Sequence, residues 1–169
     1  MMKKSRLIMI AALLTMLFLI SACANSNVSS AVEAAEKYKL AELESPQIHE
    51  ITEQTLSEKY EVMEPLSTQS FYERSVSTRV FIRGSQLAQL KESEVRLSNL
   101  EFTERNVADT QIELNYTGTV SVADETLDLE GTIYMLKEDD DWRVNNDIYN
   151  TEIVYDIIDA AMINKNKTP

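Results

Sequence analysis

Apolar and polar residues alternate through most of the second half of the chain. In TQIELNYTGTVSV, Ile112, Leu114, Tyr116, Val120 and Val122 alternate with Glu113, Asn115, Thr117, Thr119 and Ser121, the period of a half-buried strand. VRLSNLEFTE, just before it, begins with Val95 and Leu97 in one phase and continues with Leu100 and Phe102 in the other. That slip predicts a bulge near Ser98-Asn99. Beyond a turn at Ala123-Asp124, Leu127, Leu129, Ile133 and Met135 alternate again. Glu138 to Asp141 makes the next turn, and Trp142, Val144 and Ile148 share a phase in WRVNNDI. Four consecutive strands predict an antiparallel meander.

The first half has helical spacing instead. Ser30 and Glu33 stand three apart, the spacing of a capping box, ahead of the helix AVEAAEKYKLAELE. Ser45-Pro46 ends that helix and starts another, with Ile48, Ile51, Thr55 and Leu56 on one face and Pro65 as its stop. Phe71 and Tyr72 suit a short helix begun near Thr68, and SQLAQLKE after Gly84 suits one more. SVSTRVFIR (75–83) reads either as helix or as strand, because Val76, Thr78, Val80 and Ile82 also alternate. At the other end, TEIVYDIIDAAMINK places Ile153, Ile157 and Ala161 four apart, behind Asn150 or Thr151 as cap.

Helices followed by a run of long strands predict an α+β fold, with N-terminal helices packed on an antiparallel sheet and a C-terminal helix behind it. The run LEGTIYMLKEDDDWRVNNDI resembles the closing hairpin of the nuclear transport factor two superfamily, and cystatin-like lipoprotein domains are a close alternative. The resemblance implies a curved sheet wrapped around helices into a cone. A helix after the last strand departs from that pattern.

The N-terminus has a different character. Lys3, Lys4 and Arg6 precede an apolar run from Leu7 to Ile20, broken only by Thr15, and small Ser21 and Ala22 follow. These are the parts of an export signal. As a helix the run reaches about 21 Å, short of the roughly 30 Å hydrocarbon core. Ile20-Ser21-Ala22-Cys23 resembles the lipobox of bacterial lipoproteins. The resemblance implies a diacylglyceryl thioether on Cys23 and cleavage between Ala22 and Cys23. It implies a protein held at the cell membrane, on its extracytoplasmic side, by a lipid anchor. The expected organisation is a signal peptide (1–22), lipidated Cys23 with a flexible tether to residue 30, one domain (31–163) and a disordered tail (164–169).

Composition narrows the function. Taking Lys3, Lys4 and Arg6 from the 16 bases leaves 13 against 28 acids, a formal charge of −15 from Cys23 onward. Such a surface disfavours nucleic acid and anionic lipid headgroups. Cys23 is the only cysteine, so no intrachain disulfide forms and no free thiol remains after lipidation. His49 is the only histidine, which excludes a histidine-rich metal site. The acidic turn 138–141 lacks the glycine and closing glutamate of an EF-hand. No P-loop, G-x-S-x-G or G-x-G-x-x-G occurs, and no cofactor or metal is expected. The cone superfamily includes ketosteroid isomerase, where a tyrosine and carboxylates move a proton. By that resemblance Tyr72, Tyr116 and Tyr134 are the residues to watch. The expected function is a non-catalytic lipoprotein that binds an envelope protein or a small apolar ligand. It would be accessory to an envelope, secretion or conjugation assembly. The alternative is a small enzyme using a buried carboxylate and tyrosine.

Overall fold

Helix α1 occupies residues 26–43 of the computed structural model, which describes residues 26–150. Ala31, Ala35, Tyr38, Lys39 and Glu42 recur at helical spacing and are fully buried, and Val28 packs beside them. This face corrects the expected tether: residues 26–30 are helical, and Ser30 does not cap. Its Oγ donates back to the Ser26 carbonyl at 2.9 Å, while Glu33 pairs with Lys37 at 2.7 Å. Burial of one face outweighs the weak helix propensity of serine and asparagine there.

Pro46 starts no helix. Ser45 exchanges backbone hydrogen bonds with Val95 at 2.8 and 3.2 Å, which holds the chain extended along the sheet edge. Helix α2 (Glu53–Met63) begins later, where Thr52 Oγ1 accepts from the Thr55 amide. Lys59 of α2 donates to the carbonyls of Ala41 and Glu44, placing a cation at the C-terminal end of α1.

Thr68 caps α3 (Gln69–Ser77) as expected. The ambiguous 75–83 stretch is helical, not a strand. It finishes α3, turns at left-handed Arg79 (φ 58°), and passes through a 3-10 turn (Val80–Ile82) into α4 (Arg83–Lys91). The reason lies at Phe81, which is fully buried with ring centroids 5.8–6.5 Å from those of Tyr38, Tyr60, Phe71 and Tyr72. A strand would keep Phe81 out of phase with Val80 and Ile82; the tight turn buries Phe81 and Ile82 together.

The four strands β1 (Val95–Val107), β2 (Gln111–Val122), β3 (Glu125–Glu138) and β4 (Asp141–Tyr149) form an open antiparallel sheet in sequence order. The fold is α+β, with the helices on the N-terminal side of the chain. The expected bulge is present: register shifts between Ser98 and Glu101, with Asn99 at φ 51°. Asp139 and Asp140 both adopt positive φ in a two-residue hairpin turn. Two further irregularities were not legible: β1 shifts register again between Glu104 and Asn106, and β4 contains a bulge. Tyr134 pairs with Asn146 while Met135 pairs with Val144, so Asn145 is extra. The phase of β4 reverses there. Trp142 and Val144 are buried as expected, but Ile148 is 57% exposed, and Asp147 and Tyr149 point inward instead. The expected C-terminal helix, its tail and the lipobox lie outside the described residues.

Gly84 sets the approach of α4 to α1. A Cβ at Gly84 would overlap the Leu43 carbonyl group. Alanine normally stabilises a helix interior by about 1 kcal/mol over glycine. Gly84→Ala is expected to do the opposite, lowering unfolding free energy in urea by about 2 kcal/mol or more. An unchanged or raised value would show that the two helices are not in backbone contact.

Candidate functional site

The inward turn of β4 brings Asp147 over helix α1. Lys39 Nζ donates to Glu42 Oε2 at 2.6 Å and to Asp147 Oδ2 at 2.9 Å, with all three side chains essentially inaccessible. The spare carboxylate oxygens are also used. Tyr116 donates its hydroxyl to Asp147 Oδ1, and Tyr149 donates to Glu42 Oε1, both at 2.8 Å. Arg83 of α4 donates to the Tyr149 hydroxyl at 2.8 Å and lies 3.9 Å from Glu42. Two carboxylates therefore face two cations, and each of the four carboxylate oxygens accepts at least one hydrogen bond. The Lys39 ammonium is further enclosed by aromatic faces, 4.0 Å from the Tyr149 ring centre and 5.1 Å from that of Tyr116.

Each element contributes by a local reason. Lys39 and Glu42 are three apart on one helix, so both reach the same side. Phe102, Tyr116, Gly131 and Tyr149 form one row across the sheet. Gly131 leaves the space through which the Tyr116 ring crosses β3 to reach Asp147. A Cβ at Gly131 would stand 2.7 Å from the hydroxyl end of that ring.

Burial governs the proton equilibria. It raises Asp147 above the usual carboxylate range, with Lys39 opposing and Glu42 adding to the effect. Burial also works against charge on Lys39, but Asp147 and Glu42 outweigh it and hold the ammonium above its ordinary value. The Tyr116 and Tyr149 phenols are pushed far up, first by burial and then by the nearby carboxylates. Both therefore stay protonated and serve as fixed donors.

The other sequence candidates are dispersed. Tyr72 packs on Phe81, and Tyr134 is half-buried away from the cluster. His49 is exposed, and its carbonyl accepts from Gln89. Asp139 and Asp140 are exposed in their turn, and no group of metal-ligating side chains is gathered among the described residues. Ala22 and Cys23 lie outside those residues. Sequence reasoning singled out Tyr116 but missed Lys39, Glu42, Arg83, Asp147 and Tyr149. Lys39 and Glu42 carried one signal: both occupy the apolar stripe through Ala31, Ala35 and Tyr38.

The sheet's opposite face holds an open groove of about 440 Å³ spanning all four strands. Alternation with Tyr116 and Tyr149 gives it Glu101, Thr103, Asn115, Thr117, Glu130, Thr132 and Ile148. Compared with known proteins, the chain matches no protein-family model and no curated protein.

Lys39→Met would strand two buried carboxylates without their shared cation. It is expected to cost about 3–5 kcal/mol at pH 7. The sign of the pH dependence follows from Asp147. Its folded pKa, already raised, rises further without Lys39, so the folded variant binds protons that the unfolded chain lacks. Stability of the variant then recovers as pH falls from 7 towards 5, and its deficit against wild type narrows. Urea melts at the two pH values measure this; a deficit independent of pH would mean that the carboxylates are not buried together.

Proposed function

We propose that the protein is an extracytoplasmic lipoprotein, anchored to the cell membrane through diacylglyceryl-modified Cys23, whose folded domain binds a partner protein. The carrying observation is the order of basic flank, apolar run and Ile20-Ser21-Ala22-Cys23. Two acyl chains hold where one would exchange. Among the described residues no helix is long and apolar enough to cross a membrane, which is compatible with lipid anchoring. The binding reading is supported by the groove on the open sheet face. Its lining of hydroxyl, amide and carboxylate groups suits a protein segment better than a small apolar ligand. A role accessory to an envelope, secretion or conjugation assembly fits this reading.

A second reading draws on the 2.8 Å contact between Tyr116 and Asp147, a tyrosine–carboxylate pair of the kind that proton transfer uses. Against it, both oxygens of Asp147 are already engaged and its side chain is 1% accessible. The cluster is better suited to joining elements than to receiving a substrate.

Cys23→Ser tests the anchor. The wild type is expected to take up labelled fatty acid and fractionate with membranes, and the variant to take up none and leave them. Membrane retention of the variant, with no label in the wild type, would overturn the lipoprotein reading.

A further inference from the structure

Two cross-strand rows build the open groove. Glu101, Thr117 and Glu130 stand in register in one row. Thr103, Asn115, Thr132 and Ile148 stand in register in the other. Glu101 and Glu130 sit on strands two apart, one on each side of Thr117, with their backbones about 10 Å from each other. Three other glutamates of this sheet hold cations, Glu113 with Arg105, Glu125 with Lys91 and Glu138 with Arg143, while Glu104, outside the groove, has no ion pair among the described residues. Among the described residues, Glu101 and Glu130 pair with none, and no base lines the groove.

The rest of the lining also bears on an occupant. Thr132 donates to Asn115 Oδ1 at 2.9 Å, which fixes the Asn115 amide and leaves its N–H donors for a carbonyl. Thr103 and Thr117 add hydroxyls, and Ile148, 57% exposed, ends its row with an apolar contact. An occupant must therefore bring positive charge, backbone-like acceptors and one apolar group. A free metal ion would leave most of the volume empty, and an apolar molecule would bury both carboxylates unpaired.

We propose that this groove docks an extended basic segment of a partner protein, with two cationic side chains meeting Glu101 and Glu130. In an extended chain, residues two apart lie about 7 Å apart on one side, and the flexible stems of lysine or arginine cover the remaining distance. A Lys-X-Lys spacing fits. The inference rests on the partner-binding reading above and supplies its chemistry.

The test uses the full chain and a fluorescein-labelled Thr-Lys-Thr-Lys-Leu peptide, followed by anisotropy at physiological salt. Glu101→Gln/Glu130→Gln is expected to weaken binding at least tenfold. Glu36→Gln/Glu50→Gln, which removes the same charge from exposed helix and loop positions, is expected to stay within twofold of wild type. Equal losses in the two double variants would mean that the peptide reads only net charge, and the proposal falls. It also falls if wild type does not bind the peptide but the Lys165→Gln/Lys167→Gln variant does, because the chain's own Lys165-Asn166-Lys167 would then be the occupant. Crosslinking in intact cells separates this inference from the reading beneath it. A partner captured equally by wild type and Glu101→Gln/Glu130→Gln sinks the groove alone. Peptide binding that depends on the groove, with no partner enriched over an unrelated lipoprotein, sinks the partner-binding reading.

Discussion

The ammonium of Lys39, held between Glu42 and Asp147 beneath the sheet, is the constraint on which the rest of this structure depends. An isolated buried charge costs many kcal/mol, and only close, fully hydrogen-bonded partners offset that cost. The partners here come from separate parts of the chain. Glu42 belongs to α1, Asp147 and Tyr149 to β4, Tyr116 to β2 and Arg83 to α4. Satisfying one charge thus fixes where the first helix lies on the last strand. Two backbone features serve the same end. The bulge at Asn145 turns Asp147 inward, and Gly131 opens the path for the Tyr116 ring. An apolar cluster of equal volume would hold the elements together as firmly, but it would specify their mutual position less sharply.

The sheet was the legible part of the fold. Alternation in β2 and β3 is unbroken, and a half-buried strand leaves no cheaper arrangement for such a pattern. The bulge in β1 was legible for the same reason, since Leu97 and Leu100 cannot share a face without an extra residue. The bulge in β4 left no such trace. Asn145 and Asn146 are both polar, and Asp147 looks like a surface residue until its partner is known. The helical layer hid its start because serine and asparagine advertise caps and tethers. Only the tertiary contacts of Val28 and Ala31 reveal helix there. The buried cluster was illegible for a deeper reason: a lysine's burial depends on counter-charges over a hundred residues away, as with Lys39 and Asp147.

The two faces of the sheet carry opposite chemistry from adjacent residues. Tyr116 and Tyr149 close the inner face over a charge-balanced interior, while Thr117, Glu130 and Ile148 beside them open onto solvent. Strand alternation lets one segment do both. An inner face in which every carboxylate oxygen is engaged favours rigidity over turnover. A rigid sheet presenting a polar groove is pre-organised, which lowers the ordering cost of any recognition at that face.

The central claim is that Lys39 and Asp147 act as one unit. A double-mutant cycle with Lys39→Met and Asp147→Leu, read by urea unfolding at pH 7, tests it most directly. Each single variant leaves an unbalanced buried charge, whereas the double variant removes both members of the pair. The account predicts that the double variant loses less stability than the sum of the singles by about 2 kcal/mol or more. Additive losses, agreeing within about 0.5 kcal/mol, would contradict it.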